Sequence, residues 1–191
     1  SDQSLRQWTL AKERGLKIVA KIQAGTSTEM VLMPYIPAIG RVAQHVSNLV
    51  KAGLDGLVLG WSYGGWPSPN LAVAAEMGKP SRPSVDETLH SIARSHFGKD
   101  AADDAVAAWK QLSIAFGEFP FDIAPAYNGP QTIGPANLLY PRPTCFSSTM
   151  ITFPYDDLDG WRGPYSAATF QHQFEKLADG WQKGVEQFAK L

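Results

Sequence analysis

The run from Leu54 to Asn70, which reads LDGLVLGWSYGGWPSPN, constrains the fold of this chain more than any other stretch. It opens with apolar residues 57–59 between glycines, a pattern that favours a fully buried β-strand. Three aromatic residues then follow within six positions, Trp61, Tyr63 and Trp66, beside paired glycines and two prolines that fix the backbone. A plain connecting loop does not need such side chains. The run therefore predicts the carboxyl-terminal mouth of a parallel strand, with an aromatic wall for stacking on a sugar.

The first 77 residues are predicted to form two units of alternating strand and helix. Helical patterns cover residues 4–14 and 38–52, and each is followed by a glycine stop. Strand patterns cover residues 16–23 and 56–61. A strand, a long loop, a helix and a second strand make a βαβ unit, which is nearly always parallel and right-handed. The predicted fold class is α/β: a partial (β/α)8, or TIM, barrel in its last two βα units, followed by a mainly helical C-terminal region.

Residues 78–191 are predicted to be a helical C-terminal domain. One helix opens with a capping box made by Ser84 and Glu87, and a second helix follows it. Residues 117–165 are rich in Pro, Gly and Tyr but too apolar for disorder, so we expect a long ordered loop there. The chain closes on residues 166–190, where a continuous apolar stripe predicts the longest helix.

Composition excludes several classes of function. The net charge is −1, which recommends neither a nucleic acid nor an anionic membrane as a partner, and no apolar run is long enough to span a bilayer. Cys145 is the sole cysteine, so an internal disulfide framework is excluded. No phosphate-cradling glycine loop, dinucleotide fingerprint or metal-ligand cluster is present, and we predict no cofactor. The compartment stays open, with a secreted or periplasmic location slightly favoured.

Candidate site residues follow the two predicted strands, because ligands of parallel sheets bind where the strands end. Glu29 is the sole carboxylate in either loop, and it is the candidate catalytic acid or base. The alternative is that Glu29 anchors its loop or interacts with a helix dipole. Gln23, Trp61, Tyr63 and Trp66 are candidate substrate-binding residues. The alternative is packing in the core for Trp61 and packing of the loop for Tyr63 and Trp66.

A second group of candidate substrate-binding residues lies in the long loop. Asp156 opens a run of three aspartates within four residues, and Arg162 follows it. A calcium site is a poor match because the glycine and glutamate of an EF-hand are missing. The structural alternative is a helix cap with a salt bridge from Asp156 or Asp157 to Arg162. Asn137 belongs to a pair of Gly-Pro turns that would present amide groups toward a cleft.

The residues Leu59-Gly60-Trp61-Ser62 resemble the last barrel strand of (β/α)8 glycoside hydrolases, in which a Trp-Ser pair often floors the sugar site. The runs AVAAW at 105–109 and FGEFPF at 116–121 look like the helical domains appended to some of those enzymes. The resemblance implies hydrolysis of glycosidic bonds by a pair of carboxylates. It would also place a catalytic glutamate at the end of the penultimate strand, where this chain has Gln23 and, further on, Glu29.

The function predicted is that of the C-terminal portion of a glycoside hydrolase, acting on an oligosaccharide or glycoside. The strands missing from a closed barrel are expected in an N-terminal portion of a longer protein or in a separate chain, or the chain is a homo-oligomer. On this interpretation the sequence is a truncated fragment that can be inactive alone. The first alternative is a non-catalytic carbohydrate-binding or scaffold module. The second is a helical interaction domain whose aromatic residues all lie in the core.

Overall fold

Helices make up 59% of the residues that the computed structural model describes, which are 2–24, 36–60, 67–81, 83–132, 137 and 139–191. Two strands, β1 (Val19–Lys21) and β2 (Gly56–Val58), form one small parallel sheet. Short 3₁₀ turns span Phe116–Glu118 and Pro130–Thr132. The α-helices within the described ranges are α1 (Asp2–Glu13), α2 (Ile39–Lys51), α3 (Pro69–Met77), α4 (Val85–Phe97), α5 (Ala102–Ala115), α6 (Ile123–Asn128), α7 (Leu158–Trp161) and α8 (Ala167–Phe188).

The sheet is built from the alternating apolar pattern on either side of α2. Ala20 of β1 pairs with Leu57 of β2, and both side chains face the core. The Asp55 carboxylate just before β2 accepts a hydrogen bond of 2.8 Å from the backbone N–H of Ile18. This bond, together with the nearby ammonium of Lys17, lowers the pKa of Asp55. Asp55 therefore fixes the register of the two strands where they enter the sheet.

The prediction of a partial (β/α)8 barrel is wrong. Each strand has three residues, and the sheet described contains these two strands alone. Barrel strands are buried on both faces, whereas here one face is open: Val19 is 57% exposed and Val58 is 48% exposed. The alternation of Ile18, Ala20 and Ile22 correctly indicated one buried face, but it says nothing about a second layer of structure.

Helix α5 is the centre of the core, and α2, α4 and α8 pack around it. Trp109 of α5 is almost fully buried, and its ring meets Phe97 of α4 and Phe188 of α8 edge-on or tilted. Ser113 of α5 ties in the start of α2, because its hydroxyl oxygen accepts a 3.0 Å hydrogen bond from the N–H of Gly40. The same hydroxyl donates to the carbonyl of Trp109. Ala20 of β1 and Ile22 just after it belong to the same buried cluster as Trp109, so the sheet packs on this core.

Helices α5 and α8 approach closely because α8 carries glycine at the contact. A Cβ built on Gly180 would lie 2.8 Å from the Cβ of Ala115, and one built on Gly184 would lie 2.5 Å from Leu112 Cδ2. The amide of Gln111 also donates to the carbonyl of Gly180. Most of the apolar stripe predicted for this helix is packed, but Val185 is 47% exposed, and two glycines set the distance between the helices.

The segment predicted as an ordered loop at 117–165 contains two short helices, α6 and α7, that the sequence patterns did not indicate. Asp122 caps α6 by accepting a 3.1 Å hydrogen bond from the N–H of Ala124. The hydroxyl of Tyr165, just after α7, donates to the carbonyl of Phe121. One cluster of buried residues contains Ala20, Ile39 and Trp109, so residues on both sides of the predicted boundary at 77 and 78 share a core. The boundary itself stays a prediction.

Candidate functional site

The carboxyl ends of β1 and β2 lie side by side, as a parallel pair requires. Backbone pairing continues past the strands: the N–H of Ile22 donates to the carbonyl of Val58 at 2.8 Å, and the N–H of Ala24 donates to that of Leu59 at 3.1 Å. Gln23 lies half-buried between these two bonds. Both chain segments therefore leave the sheet at the same edge, the edge where ligands bind in open parallel sheets.

Several predicted site residues come soon after the two strand ends in the sequence. The predictions for Glu29, Trp61, Tyr63 and Trp66 lie outside the described residues. Of the strand-end group the structure describes Gln23 alone, and the predicted role of the group in binding substrate stays a prediction.

Asn137 is used inside the protein. Its side-chain amide donates a 2.9 Å hydrogen bond to the carbonyl of Phe153, and the residue is half-buried. This bond ties one side of the long loop to the other. The Gly-Pro turns suggested that such amides would face a cleft, but the described contact of Asn137 is structural.

The Asp156 carboxylate is the brace of the loop that begins at Leu139. Its Oδ2 accepts hydrogen bonds from the N–H of Thr144 at 2.7 Å and of Cys145 at 3.2 Å. Its Oδ1 accepts a bond of 2.8 Å from the Thr144 hydroxyl. The hydroxyl of Thr144 is the largest cause of a lowered pKa at Asp156, and the backbone N–H groups add to it. Asp156 is therefore ionised at neutral pH and holds the backbone around Cys145, which has a left-handed φ of 56°.

Arg162 has a different partner from the one predicted. Its Nε lies 2.7 Å from Oδ1 of Asp159, and its Nη1 donates to the carbonyl of Tyr165. The expected salt bridge to Asp156 or Asp157 is therefore wrong. Asp157 occupies the N-cap position of α7, but its side chain accepts instead from the N–H of Ser148 at 2.6 Å. This choice of partner depends on α7, which brings positions 159 and 162 onto the same turn. The sequence patterns did not indicate that helix, so they could not predict the pair.

A surface pocket that sequence reasoning missed lies against this braced loop. We call it the tyrosine pocket. Its volume is about 220 Å³, and two tyrosines on separate segments stand in its wall, 63% and 44% exposed. The sequence signal for it is the run Tyr-Pro-Arg-Pro at 140–143, together with a tyrosine directly before Asp156. The lining residues used below are Tyr140, Pro141, Arg142, Pro143, Tyr155 and Asp156.

Arg142 is the cation of the tyrosine pocket. It is exposed, and it forms no hydrogen bond or ion pair with the part of the chain that the structure describes. Its five guanidinium N–H donors are therefore available to a ligand. Asp156 supplies the opposite charge in the same pocket, so the site presents donors and an acceptor of balanced charge beside two aromatic rings.

Two larger cavities flank the small sheet. One of about 480 Å³ lies beneath α1 and is lined in part by Trp8, Ala20 and His45. The other, of about 390 Å³, lies between β2 and the end of α3 and is lined in part by Leu57 and Ala74. Neither holds a pair of carboxylates. Among the described residues no group of three side chains has the composition of a metal site, and no helix is long and apolar enough to cross a membrane.

Comparisons with protein-family models, with curated protein sequences and with solved structures gave no match to this chain. The strand-end edge and the tyrosine pocket are two surfaces of this chain with the chemistry of a ligand site.

Proposed function

We propose that this chain acts on carbohydrate as part of a glycoside hydrolase, with its sugar site at the carboxyl ends of β1 and β2. The observation that carries the proposal is the parallel pairing through Ile22 and Ala24, which brings both strand ends to one edge. The loops that begin there contain, in sequence, one carboxylate and four aromatic residues, three of them in the loop after β2. Aromatic side chains offer an apolar face to a pyranose ring, and a carboxylate supplies acid or base catalysis.

Glu29 is the residue to test first. A general acid or base contributes roughly 10²- to 10⁴-fold to a rate, so Glu29→Gln should lower kcat for aryl glycosides by at least about 100-fold. Trp61→Ala should instead raise KM, since its expected role is to stack on the ring. Glu13→Gln is the matched control, because Glu13 is an exposed glutamate at the end of α1, and it should leave both constants unchanged. Hydrolysis that survives Glu29→Gln would reject Glu29 as the catalytic group.

The second candidate is a carbohydrate-binding or scaffold module without catalysis. It is favoured by the shortage of paired carboxylates, because the strand-end loops contain one carboxylate in sequence and neither cavity beside the sheet is lined by a pair. Titration of oligosaccharides against tryptophan fluorescence separates the two candidates. Binding with no release of reducing sugar supports the module, and the absence of both binding and turnover contradicts both proposals.

A further inference from the structure

The tyrosine pocket has the chemistry of a ligand site and lies apart from the strand-end edge in the sequence. Tyr140 and Tyr155 expose their rings to the same 220 Å³ cavity although they lie fifteen positions apart in the sequence. Exposed aromatic rings that converge on one cavity keep apolar surface in contact with water and add nothing to the core, which is typical of a binding site. Neither ring makes an aromatic contact with another described ring that would account for its position.

The walls of the pocket are held in place before any ligand arrives. Asp156 accepts hydrogen bonds from the backbone N–H groups of Thr144 and Cys145 and from the Thr144 hydroxyl, and Thr144 lines the cavity. Pro141 and Pro143 restrict the backbone on either side of Arg142. A preformed site binds more tightly because less conformational entropy is lost on binding.

We propose that the tyrosine pocket binds one neutral pyranose ring of an oligosaccharide. The two tyrosine rings supply apolar faces for the C–H groups of the sugar. Arg142 donates to sugar hydroxyl oxygens, and Asp156 accepts from a hydroxyl group. A carboxylate has about four acceptor positions. Thr144 and Cys145 occupy three of those of Asp156, and a sugar hydroxyl would compete for the fourth with the residue's own N–H.

Size and charge select this ligand over others. Ordinary small-molecule pockets measure about 300–1,000 Å³, so a cavity of about 220 Å³ takes a single ring. An acidic sugar would gain from Arg142 but would place its carboxylate beside that of Asp156. A proline-rich peptide could stack on tyrosines, but it offers no hydroxyl groups to the Arg–Asp pair. The inference does not depend on hydrolysis at the strand ends, since it concerns a second site.

The test is a titration of the Trp61→Ala protein, so that the proposed strand-end platform does not contribute. The probes are the neutral trisaccharides maltotriose, cellotriose, xylotriose and mannotriose, with tri-galacturonate and decaproline for comparison. Binding is followed by ¹H–¹⁵N NMR at the Thr144 and Cys145 amides, which hydrogen-bond to Asp156. For one stacked ring we expect a Kd on the order of 1 mM for at least one neutral sugar.

Three variants locate the binding. Tyr140→Ala and Tyr155→Ala should each raise the Kd roughly two- to tenfold, and Arg142→Gln by about tenfold. Phe121→Ala is the matched control, since Phe121 is an exposed aromatic residue outside the pocket, and it should leave the Kd unchanged. Circular dichroism checks that each variant is folded.

Each result decides the proposal. Saturable shifts with a neutral sugar that the tyrosine variants weaken support it, whether or not the chain hydrolyses glycosides. No saccharide binding at about 10 mM overturns it, since that is ten times the expected Kd. Binding of decaproline in place of sugar, or tighter binding of tri-galacturonate than of every neutral trisaccharide, also overturns it. Sugar binding that the tyrosine variants do not change assigns the ligand to another surface.

Discussion

Replacing Gly184 with alanine tests how tightly α8 packs on α5. A Cβ at this position would lie 2.5 Å from Leu112 Cδ2 and 2.6 Å from Leu112 Cγ. Carbon atoms in good contact are about 3.5–4.0 Å apart, so both distances are short by roughly 1 Å. Leu112 is itself buried, which leaves its side chain little room to move away. The added methyl group must therefore separate the helices or force Leu112 from its rotamer.

Two opposing terms set the size of the effect. Overpacking of a core contact costs about 1–3 kcal/mol. The change from glycine to alanine within a helix contributes about 1 kcal/mol in the other direction. We therefore expect Gly184→Ala to lower the free energy of unfolding by about 1 kcal/mol. Urea denaturation followed by circular dichroism measures it, and the exposed Ala178→Gly on the same helix gives the propensity term alone.

The Leu112→Ala background makes the test decisive. Leu112→Ala alone should cost about 2–5 kcal/mol, because it leaves a cavity in the core. In that background the alanine at 184 meets no leucine side chain, so Gly184→Ala should now stabilise the protein by up to about 1 kcal/mol. The sign of the effect thus reverses between the two backgrounds. If Gly184→Ala stabilises the protein equally in both, the close contact of α8 with α5 does not limit the packing.

Three further predictions concern the core, a helix cap and pH. Trp109→Ala removes the sole aromatic residue of α5, which is almost fully buried, and should cost about 3–5 kcal/mol in urea denaturation, whereas Trp109→Phe should cost less. Ser84→Ala breaks the capping box of α4 and should cost about 1 kcal/mol, while Ser84→Thr keeps the hydroxyl and most of the stability. The pKa values of Asp86 and Asp156 are lowered by hydrogen bonds from Lys110 and Thr144 respectively. The stability that these two carboxylates contribute is therefore complete above the unfolded pKa of about 3.9 and is lost as the pH falls through their lower folded pKa values. The midpoint of urea denaturation should accordingly decrease as the pH is lowered through this range.

Local signals in the sequence located most of the helices. The capping box at Ser84 begins α4 as predicted. Gly15 and Gly53, both with left-handed φ, lie just after the ends of α1 and α2, close to the predicted ends. Such signals act within one turn, so they do not depend on the rest of the fold. The cap of α3 shows the limit of this reasoning. Asparagine is a favoured N-cap residue, yet Ser68 and not Asn70 caps α3, and the Asn70 amide donates to the carbonyl of Ile36 instead.

The sheet could not be predicted in the same way, because a strand pattern reports burial and not the number of neighbours. Leu57 is packed against the core as expected, but Val58 beside it is nearly half-exposed. An uninterrupted apolar run predicts burial on both faces, and this interpretation led directly to the barrel. The layers that cover a strand are set by contacts between residues distant in sequence, and the apolar run alone does not predict those contacts.

Asp156 shows why residue type alone does not separate structure from function in this chain. An acidic residue beside tyrosine and arginine suggested a substrate ligand, yet its three hydrogen bonds within the loop suggest a purely structural role. Both descriptions hold if the carboxylate shapes the pocket and keeps one acceptor position for a ligand. Asp156→Asn tests this, because asparagine can accept bonds from Thr144 but has lost the charge and one acceptor oxygen. Faster hydrogen exchange at Thr144 and Cys145 would establish the structural role. The ligand-binding role would be established by an additional loss of sugar binding. That loss must exceed the one in a control variant that breaks the hydrogen bond between Ser148 and Asp157 and speeds exchange in the loop to the same extent.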